Sequence, residues 1–142
     1  MSPAEAKNRV TSKNTAEHYT WGERCDGWRL VDRAELSVIH ERMPPGAAEV
    51  WHHHQVARQF FFVLSGTATM EIDGARHTLG AHEGIEIAPG VLHQMRNDSA
   101  ADVEFLVISQ PTTRGDRVIG GPRAHMPPTG ALQSRKRRNT RR

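Results

Sequence analysis

Residues 49–66 read EVWHHHQVARQFFFVLSG. Three consecutive histidines stand just ahead of three consecutive phenylalanines, inside the chain rather than at a terminus where an expression tag would sit. In an extended strand, side chains alternate between faces. His52 and His54 then share one face and His53 takes the other. Two imidazoles two residues apart on an inward face can grip one metal ion. The pair alone fits a polar strand at a sheet rim equally well, since buried histidines without partners are costly. The same alternation sets Gln59, Phe61 and Val63 on one side of the next strand and Phe60, Phe62 and Leu64 on the other. Both sides are apolar, and a lone sheet should be polar on its outer side. That outer side therefore calls for a cover, from the N-terminal segment or from a second copy of the chain.

The neighbouring segments have the same character. LSVIHERM (36–43), TATMEID (67–73), ARHTLG (75–80), GIEIAPG (84–90), LHQMRND (92–98) and VEFLVISQ (103–110) are short, and most are rich in Val, Ile, Phe and Thr. Gly, Pro or Asp-Gly separates them, and Asp73-Gly74 is a strong hairpin signal. No segment sustains a helical period, a turn near 31–36 aside. Many short strands at close spacing predict an all-β sandwich or barrel. Residues 1–17 read as a loose N-terminal arm, 18–117 as one folded domain and 118–142 as a flexible basic tail.

Charge is unevenly spread. Six of the 19 basic residues lie between Arg135 and Arg142. Residues 1–134 hold 13 basic against 16 acidic side chains, a net charge of −3. A basic run can bind nucleic acid, but this one has no aromatic side chains to stack on bases, and a solvated end is the simpler reading. No apolar stretch approaches the ~20 residues of a membrane helix, and the N-terminus has no apolar signal segment. Cys25 is the only cysteine, which suits a reducing, cytoplasmic setting. Arg114-Gly115-Asp116 spells an adhesion tripeptide, read here as a chance match.

The stretch Gly46-x5-His52-x-His54-x4-Gln59-x6-Gly66 resembles the first motif of the cupin superfamily, G-x5-H-x-H-x3,4-E-x6-G, with Gln59 at the glutamate position. The stretch 82–97 resembles the second, G-x5-P-x-G-x2-H-x3-N. Gly90, His93 and Asn97 match it, while His82 stands at the glycine and Ala88 at the proline. The resemblance, carried by about residues 36–110, implies a single small β-barrel, a jelly roll, with a metal in its mouth. It implies His52, His54 and His93 as ligands, with Gln59 at the fourth position. Imidazole suits manganese, iron, nickel, copper and zinc alike, so one divalent transition metal is expected without a choice among them. Cupins often dimerise through apolar sheet faces, and a homodimer is expected here. Glutamine in place of glutamate leaves the site at +2 instead of +1, which weakens metal holding and favours an anionic ligand. Gln59 either coordinates through its amide oxygen or only hydrogen-bonds nearby.

Fold alone does not decide function. One reading is a small metalloenzyme of dioxygenase, isomerase or lyase type, acting on a small, oxygen-bearing, anionic molecule. The other is a non-catalytic binding or sensor module. Met95 shares a face with His93 and is expected at the pocket; His40 and Arg42 share a face that either borders the pocket or carries surface ion pairs. Tyr19, Trp21 and Trp28 are read as packing residues, Cys25 as structural, and His77 and His125 as exposed. No general base stands out: Glu83 is expected in a turn, and Glu86 faces away from Ile85 and Ile87.

Overall fold

The computed structural model describes residues 8–120. Its eleven strands are β1 (Glu17–Trp21), β2 (Cys25–Asp32), β3 (Ser37–Met43), β4 (His52–His54), β5 (Arg58–Ser65), β6 (Ala68–Ile72), β7 (Ala75–Leu79), β8 (Gly84–Ile87), β9 (His93–Arg96), β10 (Val103–Gln110) and β11 (Arg117–Ile119). No helix occurs among the described residues, so none there is long and apolar enough to cross a membrane. The strands form two antiparallel sheets. One has six strands in the order β1-β2-β3-β10-β5-β8, the other five in the order β11-β4-β9-β6-β7. This is the expected all-β jelly-roll architecture, although hydrogen bonds do not close it into one continuous barrel.

Every apolar segment read from 36 to 110 contains a strand. Asp73 and Gly74 join β6 to β7 with φ of 50° and 80°, the doubly left-handed turn whose twist matches paired strands. The strands before residue 36 and after residue 110 carried weaker signals. β1 and β2 mix charged, aromatic and glycine residues; β2 pairs along the edge of β3, and β1 pairs along β2. Val118 and Ile119, expected in the tail, pair with His53 and His52. His125 and the basic run 135–142 lie outside the described residues.

The core lies between the sheets. Phe61, Phe105, Met43, Met70 and Met95 are essentially inaccessible to solvent. Each such side chain contributes ~1.5–3 kcal/mol of burial free energy. Alternation along β5 holds: Gln59, Phe61 and Val63 are buried, whereas Phe60 is 38% exposed. Cys25 is fully buried in the same core. Ahead of β1, Lys13 reaches the outer face of the six-stranded sheet, 3.0 Å from Glu104 Oε1 and over the Trp28 ring.

Asn97, the last residue of the second motif, has a structural role. Its Nδ2 donates to the carbonyls of Met43 and Ala101, and its Oδ1 accepts from the backbone and hydroxyl of Ser99. Asn97 itself has no solvent exposure. The motif asparagine thus ties the end of β3 to the turn after β9.

Candidate metal centre

β4 and β9 are direct neighbours, and the register pairs His52 with His93. Cross-strand partners project to the same face, so two imidazoles from distant parts of the chain stand side by side with ring centres 4.5 Å apart. His54, two residues along β4, has its ring centre 4.9 Å from that of His52 and 6.2 Å from that of His93. His53 points to the other face and pairs with Val118 in the ladder. The alternation read from the sequence therefore holds at the triplet.

Backbone carbonyls orient two of the rings. His52 Nδ1–H donates to Val50 O at 2.7 Å, and His93 Nδ1–H donates to Val91 O at 2.8 Å. This fixes the tautomer and presents each Nε2 toward the interior, an arrangement typical of ligating histidines. His93 is fully buried, and its Nε2 has no hydrogen-bond partner. The same holds for His54 Nδ1 and Gln59 Oε1. Buried polar atoms without a protein partner are costly, and a cation nearby would relieve them; the tight group among the described residues is Glu49, His52 and His93, and His54 stands outside it. Burial, then the proximity of His52 and His93, pushes His54 down to about 4. Burial likewise lowers His93. Both rings are neutral at physiological pH, the form that binds a metal.

Glu49 joins this cluster. One carboxylate oxygen and one ring nitrogen from each of His52 and His93 lie within 4.8 Å of one another. Sequence reading passed over Glu49 because it lies in the loop ahead of β4, where alternation assigns no face. The structure holds it through backbone pairing: Glu49 N donates to Met95 O, and Met95 N donates to Glu49 Oε1. Gln59 sits on β5 in the other sheet, buried, with its Nε2 donating to Ser109 Oγ at 3.2 Å. His52, His54, Glu49 and Gln59 line one cavity of about 420 Å³, and His93 stands beside His52 in the ladder.

The Asp116 carboxylate accepts hydrogen bonds from the backbone of Gln55, Val56 and Ala57. That pins the turn between His54 and Gln59. Burial raises this carboxyl, but the three backbone donors outweigh it and hold it below its ordinary value. Arg114 meanwhile pairs with Asp32 at 2.7 Å. The tripeptide Arg114-Gly115-Asp116 is thus engaged within the fold.

Of the remaining expectations, the one for Met95 is corrected. Met95 lies in the sealed core rather than at the cavity wall. His40 and Arg42 face outward: His40 is 2.7 Å from Glu104, and Arg42 is 2.7 Å from Asp26 and 3.2 Å from Asp102. The opposite parity of that strand is what faces the cavity, through Ile39 and Glu41. Tyr19, read as packing, also lines the cavity. His77 is exposed, Glu83 caps a turn by accepting from Gly80 N, and Glu86 pairs with Arg58 at the surface.

Known proteins agree with this architecture. The model of the cupin domain matches residues 39–109. Mannose-1-phosphate guanylyltransferase of Escherichia coli (strain K12) is 28% identical over 88 residues; the match covers 62% of this chain, which spans only 18% of that protein. A sugar phosphate isomerase from a cupin superfamily, from Silicibacter pomeroyi, superposes with a TM-score of 0.67 at 18% identity, covering 87% of this chain and 98% of its own. A predicted oxalate decarboxylase from Thermotoga maritima gives 0.68 at 16% identity, covering 73% and 100%. With half of the chain matched by the family model and both sheets in place, this protein belongs to the cupin superfamily.

Proposed function

We propose that the chain is a small metal-dependent enzyme acting on an anionic, oxygen-bearing molecule. The observation that carries this reading is the buried imidazole cluster of His52, His54 and His93 beside an open cavity, with two rings oriented by backbone carbonyls. These three side chains would hold one divalent transition metal, with Glu49 or Gln59 as a further oxygen donor. Such an ion supplies Lewis acidity toward a ligand oxygen. The side chains at the cavity mouth support an anionic ligand. Arg117 has no ion pair among the described residues, and the ion pair of Arg29 there is a 3.6 Å contact with the largely exposed Glu17. Guanidinium groups suit carboxylate and phosphate alike. The similarity to proteins named for a sugar phosphate and for mannose 1-phosphate is consistent with a phosphorylated ligand.

The reading extends to a homodimer in the cytoplasm. Phe60 and Phe62 stack on the outer face of the six-stranded sheet with centres 6.1 Å apart, and Phe60 remains open to solvent. A second copy would cover this face.

Competitive zinc titration tests the metal. One ion per chain is expected, with binding lost in His52→Ala or His93→Ala and nearly unchanged in His53→Ala. Absence of binding, or equal loss at His52 and His53, refutes the reading.

A further inference from the structure

The wall of the same cavity carries a carboxyl group that the metal site does not use. Glu41 lies on the inward face of β3 and is 9% exposed. No cation pairs with it among the described residues, and its hydrogen-bond partner there is the Tyr19 hydroxyl, which donates to Oε2 at 3.2 Å. Burying a carboxyl without a cation is costly, and nothing in the packing of β3 requires one. Its parity neighbours Ile39 and Met43 are apolar.

The sheet is built around this contact. The register runs Tyr19 to Gly27 to Glu41, one residue from each of β1, β2 and β3 in a single row. Row partners point to the same face, so any side chain at position 27 would stand between Tyr19 and Glu41. Glycine leaves that space open, and the Tyr19 ring occupies it. A Cβ at Gly27 would collide with the ring carbons and hydroxyl of Tyr19. Arg29 lies over the same ring, 4.3 Å from its centre. The hydroxyl is thereby carried across a whole strand to the carboxyl.

We propose that Glu41, reached across Gly27 by the Tyr19 hydroxyl, is the proton donor of the cavity, serving an oxygen atom of the bound ligand. The ligand is the one in the reading above, and the inference rests on that reading for its occupant. In the step, the Glu41 O–H bond breaks and an O–H bond forms on the ligand. Glu41 is left as a carboxylate that accepts from Tyr19 and feels the charge of Arg29, and water restores its proton.

The surroundings assign the roles within the pair. Burial, then Glu49, raises Glu41 to about 8, against the opposing influence of the Tyr19 hydrogen bond and Arg29. Burial and then Glu41 push Tyr19 far above its ordinary range. When two neighbouring groups are driven this far apart, one gives up its proton and the other retains it. Glu41 is therefore the donor, and Tyr19 the group that steadies the anion left behind. The other charged and titratable groups lining the cavity are Arg29, Glu49, His52, His54 and Arg117.

Infrared difference spectroscopy of the metal-free full chain tests this, since a protonated carboxyl has a carbonyl band separate from carboxylate bands. At neutral pH the wild type should show such a band. It should vanish in Glu41→Gln, and it should shift in Tyr19→Phe and in Gly27→Ala. Transfer to heavy water should shift it within the mixing time, ahead of the core amides, because a donor must be reachable from the cavity. Absence of the band, its persistence in Glu41→Gln, or exchange as slow as the core amides overturns the proposal. Zinc titration run alongside keeps the two readings apart: Glu41→Gln should bind zinc like the wild type. A protein that shows the band but binds no zinc retains the donor and loses the metal reading.

Discussion

Replacing Glu41 by glutamine should change how stability depends on pH, in a direction opposite to that expected for a salt-bridged carboxylate. A salt-bridged carboxylate stabilises the fold above its unfolded pKa. Glu41 has its folded value raised from 4.5 to about 8. The folded state therefore binds a proton more tightly than the unfolded chain does. Its favourable contribution is complete below pH 4.5 and is lost as pH rises through about 8. At ~1.4 kcal/mol per pH unit, that interval corresponds to ~5 kcal/mol, an order-of-magnitude figure. Glutamine keeps an oxygen for the Tyr19 hydroxyl and carries no charge at any pH. The variant should match the wild type in acid and exceed it by several kcal/mol above about pH 8. With a urea slope of ~2 kcal/mol per molar for a domain of this size, the midpoints should separate by roughly 2.5 M. The acid limb should be shared. His54, lowered from 6.5 to about 4, stabilises the fold above 6.5 and loses that contribution as pH falls through about 4. Urea unfolding of the chelator-treated wild type and Glu41→Gln across this range is the assay. Parallel curves on the alkaline side would show that Glu41 ionises in the folded state at no cost, and the reasoning from its burial would fail.

Changing Gln59→Glu lowers the charge of the site by one and should raise zinc affinity ~10-fold or more if Gln59 faces the ion; unchanged affinity, with a loss in Glu49→Gln, would make Glu49 the oxygen donor. His82 has φ of 67° at the position where the family motif has glycine, so His82→Gly should raise stability by up to ~1 kcal/mol in thermal unfolding; a marked fall would mean its contact with the Phe62 ring outweighs the backbone strain. Sedimentation at micromolar concentration should show a dimer that Phe60→Glu converts to monomer, and a monomeric wild type would refute the sheet-face interface.

The strands from residue 36 to 110 were legible because their signals are local. Alternation, β-branched residues and the Asp73-Gly74 turn act within a few residues, and so does the spacing of His52 from His54. The cupin motif spacing carried the fold further, because it records which turns separate which strands. Strands β1, β2 and β11 escaped notice, since their ordering depends on the edges that β2, β3 and β4 present rather than on their own composition. The same limit applied at the site. His93 stands beside His52 through a ladder between residues 41 positions apart, which motif resemblance suggested and only the register displays. Glu49 sits in a loop, where side-chain direction is set by hydrogen bonds to Met95 rather than by a repeat. Glu41 was passed over in favour of His40 and Arg42, although the alternation of β3 with Ile39 and Met43 already marked its face. What no local pattern contains is the row joining Tyr19, Gly27 and Glu41. Its meaning comes from three strands meeting in one register, where the absence of a side chain on the middle strand lets a hydroxyl on the first reach a carboxyl on the third.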